Sequence, residues 1–98
     1  PDVWWVKIEE KDTLKDSINL LRSYPDDAPP VRIVPYWTDI SGLKFAVLLR
    51  ELFADEASAR RQLNNLPQAI ANGGKILCSW DKDTVFYADP YAGVRGKD

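Results

Sequence analysis

The sequence predicts an α+β domain of order β-α-β-β-α-β: a mostly antiparallel sheet with two helices on one face and an optional extra C-terminal strand. Three observations carry this. Runs rich in β-branched and aromatic residues recur at 3–8, 31–37, 44–52 and 75–80. Between them lie two segments with apolar residues at i, i+4 and i+7, Leu14/Ile18/Leu21 and Ala59/Leu63/Leu66. Each such helix owns a single apolar stripe, and one sheet face covering both is the economical way to bury them.

The first strand spans Val3–Ile8. Trp4, Val6 and Ile8 form its wholly apolar face, expected toward the core, while Trp5 and Lys7 share the other. The first helix follows, with Thr13-x-x-Asp16 as a capping box and Asp12 as a rival N-cap. Tyr24-Pro25 ends it, because the residue before Pro resists helical geometry. The second strand is Val31–Trp37, and Pro35 marks it as an edge strand or a bulged one. A short turn over 38–42 leads to the third strand, Lys44–Leu52. That strand is apolar on both faces, so alternation does not say which face meets the helices. Asp55 is the expected N-cap of the second helix. Pro67 and Asn72-Gly73-Gly74 precede the fourth strand, Lys75–Trp80, and Thr84–Tyr87 is the optional fifth. Strands 1 and 3 are expected in the centre. The domain is drawn at 1–87, with 88–98 a loosely ordered tail.

Ninety-eight residues make one domain with one modest core. The chain opens on Pro1 and holds no Met, and is expected to be a piece of a longer protein. With no His, every His-based nucleophile, proton relay and metal ligand is excluded. The single Cys78 excludes an internal disulfide and a multi-cysteine zinc site, and is expected to be a small core residue in the fourth strand. Net charge is −2, and Arg60-Arg61 is the only basic doublet. This disfavours nucleic acid, whose binding rests on a basic surface. No apolar run reaches the roughly 18 residues of a membrane span. A membrane is therefore expected only through a segment outside this piece.

The polar motifs read as structure. Asp81-Lys82-Asp83 is a charged turn without the further ligands of a metal loop. Glu9 and Glu10 are neighbours on a strand end, so they point to opposite faces and do not make a catalytic pair. No catalytic residue, metal ligand or cofactor is expected, and the chain is not read as an enzyme. The aromatic residues carry more. Adjacent Trp4 and Trp5 point opposite ways, so one is core. The other lies on the open face, where with Lys7 it suits a sugar, or packs under the C-terminal segment.

The segment Phe45 to Pro67, a strand followed by a helix opening on Asp55-Glu56-Ala57 and closing on Leu66-Pro67, resembles the second half of a SPOR (sporulation-related repeat) domain. Trp4-Trp5-Val6-Lys7-Ile8 resembles that family's opening strand, and the spacing fits most of residues 3–80. The resemblance implies a ferredoxin-like or RNA-recognition-like fold and binding of peptidoglycan glycan strands stripped of stem peptides. It also implies a periplasmic setting, as a domain of a membrane-anchored or exported bacterial protein, with cell-division or envelope proteins as further partners. By position, Lys7 falls where the family often has Gln on the glycan face, Glu10 near a small polar position, and Phe45 where members place Trp. Glu51 replaces a usual Gly.

On this reading Trp5 and Phe45 stack on sugar and Lys7 binds its hydroxyl or lactyl groups. Glu10, Arg32, Tyr36 and Val47 complete the expected face. The alternative is a protein-interaction module using the apolar sheet face or a strand edge, which a C-terminal segment folded across the sheet would favour.

Overall fold

The computed structural model describes residues 3–71, 73–80 and 83–88. Its elements are β1 (Trp5–Lys11), α1 (Leu14–Arg22), β2 (Val31–Thr38), β3 (Gly42–Leu49), α2 (Glu56–Asn65), the single turn α3 (Gln68–Ala71), β4 (Lys75–Leu77) and β5 (Val85–Phe86). They form one antiparallel sheet of order β4-β1-β3-β2-β5, a ferredoxin-like arrangement with an added edge strand. The predicted fold class and the central placing of β1 and β3 hold. Residues 89–98 of the predicted tail lie outside the described residues.

Local chemistry explains the element ends. The Thr13 side chain accepts a hydrogen bond from the Asp16 amide at 3.0 Å, and that of Asp55 accepts one from the Ser58 amide at 2.7 Å, so both helices start where the capping residues place them. The β2–β3 turn holds three residues, 39–41, closed by Gly42 at φ +73°, a left-handed conformation that favours glycine. Ser41 N–H donates to Thr38 Oγ1 at 3.0 Å across that turn.

Several boundaries differ from the sequence reading. β1 runs on through Glu9, Glu10 and Lys11, because β3 offers them partners as far as Phe45. β3 stops at Leu49 rather than Leu52, and the chain then rejoins the sheet only through an isolated bridge between Phe53 and Trp4. β4 ends at Leu77, so Cys78 is exposed beyond it rather than buried within it. In α1 the core-facing residue is Ser17, fully buried with Oγ donating to the Leu14 carbonyl at 2.7 Å, whereas Leu14 is 48% exposed. The buried face is therefore centred on Ser17 rather than on the first residue of the expected stripe.

The two sheet faces bury separate clusters. On the helix-bearing face Val6, Ile8, Leu49 and Phe53 pack with Ala59, Leu66 and Ile70, with Trp4, Leu63 and Tyr24 partly buried against them. The predicted core face of the first strand is thus correct. On the opposite face Trp5, Val34, Tyr36, Ala46 and Leu48 form a second cluster, covered by Trp80 and Phe86 of the C-terminal segment and by Val3, Leu52 and Leu77.

Pro35 has a specific effect on β5. In an antiparallel ladder the N–H and C=O of one residue point to the same neighbour. The Pro35 carbonyl accepts from the Tyr87 amide at 3.0 Å, so its missing N–H is missing from the β5 side. That pair makes one bond instead of two, and β5 is two residues long. The Pro35 expectation of an edge holds for the four-strand core, with β5 added outside it.

Candidate functional site

The helix-free face is built from β1, β3 and β2. Register places Lys7 opposite Leu48, Glu10 opposite Ala46, and Tyr36 opposite Lys44. These residues share the face of Trp5, Val34 and Arg32. The register of β1 against β3 shifts between Lys7 and Glu9, so Ile8 is an extra residue, a β-bulge. Ile8 and Glu9 therefore both fall on the helix side, and Glu10 returns to the side of Lys7.

The consequence is a polar cluster at one end of the face. Lys7 Nζ lies 3.2 Å from Glu10 Oε1, and Tyr36 donates its hydroxyl proton to the same oxygen. Lys44 pairs with Asp12 just beyond. Burial opposes ionisation of Glu10, but the hydrogen bonds from Tyr36 and Lys7 and the positive charges of Lys7 and Lys44 outweigh it. They hold the carboxyl below its ordinary value. The hydrogen bond from Lys44 keeps Asp12 low and, reciprocally, Lys44 high. Glu10 thus stands as a carboxylate held between two cations, with part of its surface and that of both lysines still open to solvent.

Next to it lies an aromatic cluster. Trp80 meets Trp5 edge to face at 5.8 Å between ring centres, Tyr36 at 5.2 Å and Phe86 at 5.0 Å. Trp80 Nε1 and Thr84 Oγ1 are buried with no hydrogen-bond partner among the described residues.

Three expectations change here. Trp5 is 0% exposed beneath this cluster, so it presents no ring face to solvent. The packed C-terminal segment, one of the two placements the sequence left open, is the one found. Phe45 and Val47 lie on the other side of the sheet: Phe45 pairs with Lys11 and Pro35, and Val47 with Glu9 and Ile33. A strand apolar on both faces hid this, and so did the bulge. Lys7, Glu10, Arg32 and Tyr36 do share the helix-free face, and Tyr36 is almost wholly buried there. Lys44, Trp80 and Phe86 were missed. Lys44 could have been found by counting back from the Gly42 turn to Tyr36. Trp80 and Phe86 were legible only as strand residues.

Glu9 and Glu10 point to opposite faces, as alternation predicts, with Glu9 ion-paired to Lys11 at 2.9 Å. Asp81 and Lys82 of the charged turn, and Asn72 of the earlier one, lie outside the described residues. Among the described residues no three His, Cys, Asp or Glu side chains gather to hold a metal ion, and no helix is long and apolar enough to cross a membrane.

The large exposed apolar side chains also follow a pattern. Trp37 lies directly between Leu43 on β3 and Val85 on β5, on the helix-bearing face but beyond the strands the helices cover. Tyr87 stands beside Pro35 on that same side, and Ile40 tips the adjoining turn at 88% exposure.

No protein-family model, curated protein or solved structure matches this chain.

Proposed function

We propose that this chain is a non-catalytic module that binds peptidoglycan glycan strands through the helix-free face, as a part of a bacterial envelope or cell-division protein exposed to the periplasm. One observation carries the reading. Lys7, which the SPOR resemblance puts at a glycan-face position, and Glu10, which it puts near a small polar position of the same strand, stand side by side on the helix-free face at 3.2 Å. An ammonium donor next to a carboxylate acceptor matches the alternating donors and acceptors of sugar hydroxyl and acetamido groups. Lys7 and Lys44 also offer positive charge to a lactyl carboxylate. The site is shallow, so affinity is modest unless several copies act together.

Co-sedimentation with sacculi, intact and after amidase removal of stem peptides, tests this. The wild type pellets preferentially with denuded sacculi, and a folded Lys7→Ala/Glu10→Ala variant loses at least tenfold. A wild type that stays in the supernatant with both, or a variant that pellets equally, refutes it.

A second reading is a protein-docking module. The observation favouring it is that Trp5 is covered by the chain's own C-terminal segment while Trp37, Leu43 and Val85 form an exposed apolar row. A photo-cross-linker placed at Ile40 tests it. Protein adducts that disappear with Trp37→Lys support docking, and the absence of adducts in envelope preparations removes it.

A further inference from the structure

We propose that Trp80 and residues 84–86 of the C-terminal segment act as a displaceable strap, and that Trp80 occupies a slot which, once vacated, admits a flat sugar ring against Trp5 and Tyr36. The nature of that ring rests on the glycan reading above; the displacement does not.

Topology makes the segment a strap. β4 and β5 are the opposite edges of the sheet. The chain leaving Leu77 must therefore cross β1, β3 and β2 to reach Val85. That crossing is four inter-strand spacings, roughly 19 Å. Trp80, against Trp5 of β1 and Tyr36 of β2, lies on that crossing. Its hold on the sheet is poor in hydrogen bonds. β5 is two residues long, and Pro35 removes the donor that would have doubled its bond to Tyr87. Trp80 Nε1 and Thr84 Oγ1 are buried with no partner among the described residues, so packing them takes two polar groups from water and returns no hydrogen bond from those residues. What holds it is ring contact, Trp80 on Trp5, Tyr36 and Phe86.

That is the kind of contact a ligand can replace. A pyranose face against an aromatic ring offers similar dispersion, and its hydroxyls reach the polar end of the same face, where Glu10 already accepts from Tyr36 and Lys7. The strap is then an internal occupant of the aromatic half of the site, and Lys7 and Glu10 are the half that remains accessible. A ligand that first meets the polar end gains the aromatic half by expelling Trp80.

The experiment pins the strap. Trp37 and Val85 are direct cross-strand partners whose side chains lie on the far face, clear of the slot. A Trp37→Cys/Val85→Cys pair, in a Cys78→Ser background, can be bridged by oxidation and released by reduction within one protein. Amide hydrogen exchange is read on both forms, and co-sedimentation with denuded sacculi follows. The expected result is that the Tyr87 amide exchanges at least a hundredfold faster than those of Ala46 and Leu48 when reduced. Oxidation slows it, and the reduced form pellets at least tenfold more than the oxidised form. Exchange at Tyr87 as slow as at Leu48, or clear and equal pelleting of both forms, overturns the strap. If the reduced form and the wild type both fail to pellet while Tyr87 exchanges fast, the glycan reading falls and the opening of the strap stands.

Discussion

Lys7 and Glu10 are three residues apart on one strand and still touch, because the bulge at Ile8 cancels one step of the alternation. A regular strand would send them to opposite faces. The pair is thus a product of backbone irregularity, and with Tyr36 it fixes a charged carboxylate on a largely apolar sheet face.

Glu10 makes acid stability a readout of this cluster. Its folded-state affinity for a proton is lower than in the unfolded chain, so the unfolded state binds more protons as pH falls. The stabilisation is fully present above the ordinary value of 4.5 and is lost as the pH drops through the depressed folded value. Melting temperatures of wild type and Glu10→Gln, followed from pH 7 to pH 2.5, should converge at the acid end. A constant gap between them across that range would place the effect elsewhere.

Trp80 gives a second test through a paired substitution. Trp80→Phe keeps a ring against Trp5 and Tyr36 and removes the orphaned Nε1–H, so it should cost less than about 1 kcal/mol. Trp80→Ala removes the ring itself. Because Trp80 is only partly buried, it should cost about 2–3 kcal/mol, at or below the low end for a Trp truncation. Urea denaturation of both variants measures the difference.

Tyr24 carries a buried hydroxyl with no partner among the described residues, and burial, aided by the Glu9 charge, pushes its ionisation up to about 12. Tyr24→Phe should therefore leave stability unchanged or raise it by about 1 kcal/mol. In the wild type, a folded value above the ordinary 10.0 means that the stability Tyr24 supplies is complete below pH 10 and is lost as pH rises toward 12. Ultraviolet titration of the tyrosines should show a late-titrating component that is smaller in Tyr24→Phe.

Ser17 is fully buried between α1 and the sheet, and its hydroxyl is satisfied within its own helix by the Leu14 carbonyl. Ser17→Ala should change stability by less than about 1 kcal/mol, since donor and side-chain need vanish together. Ser17→Leu should cost about 1–3 kcal/mol or more, because helix and sheet meet closely there. Thermal unfolding by circular dichroism separates the two. Equal effects would mean the site has room to spare.

The elements were legible because period, capping residues and Pro positions agree in Asp55–Leu66 and Val31–Trp37. What stayed hidden has physical causes. A bulge leaves no composition signal, so Glu10 could be matched to Lys7 only by resemblance. Strand 3 is apolar on both faces, so the side to which Phe45 and Val47 belong is set by register against β2. Trp5 is buried by residues some 75 positions later, a contact that no local pattern encodes. Leu14 fits the helical stripe yet is half exposed, and periodicity alone does not say which members of a stripe the sheet covers.

Pro35 has one more consequence. While β5 is in place, its effect is a weakened ladder. When β5 leaves, β2 becomes the outer strand, and a freshly bared strand is a template on which other chains can polymerise. The position from which an incoming strand would seek a donor is the one where Pro35 has none. The residue that weakens the last strand would therefore also deny an incoming strand one of its hydrogen bonds.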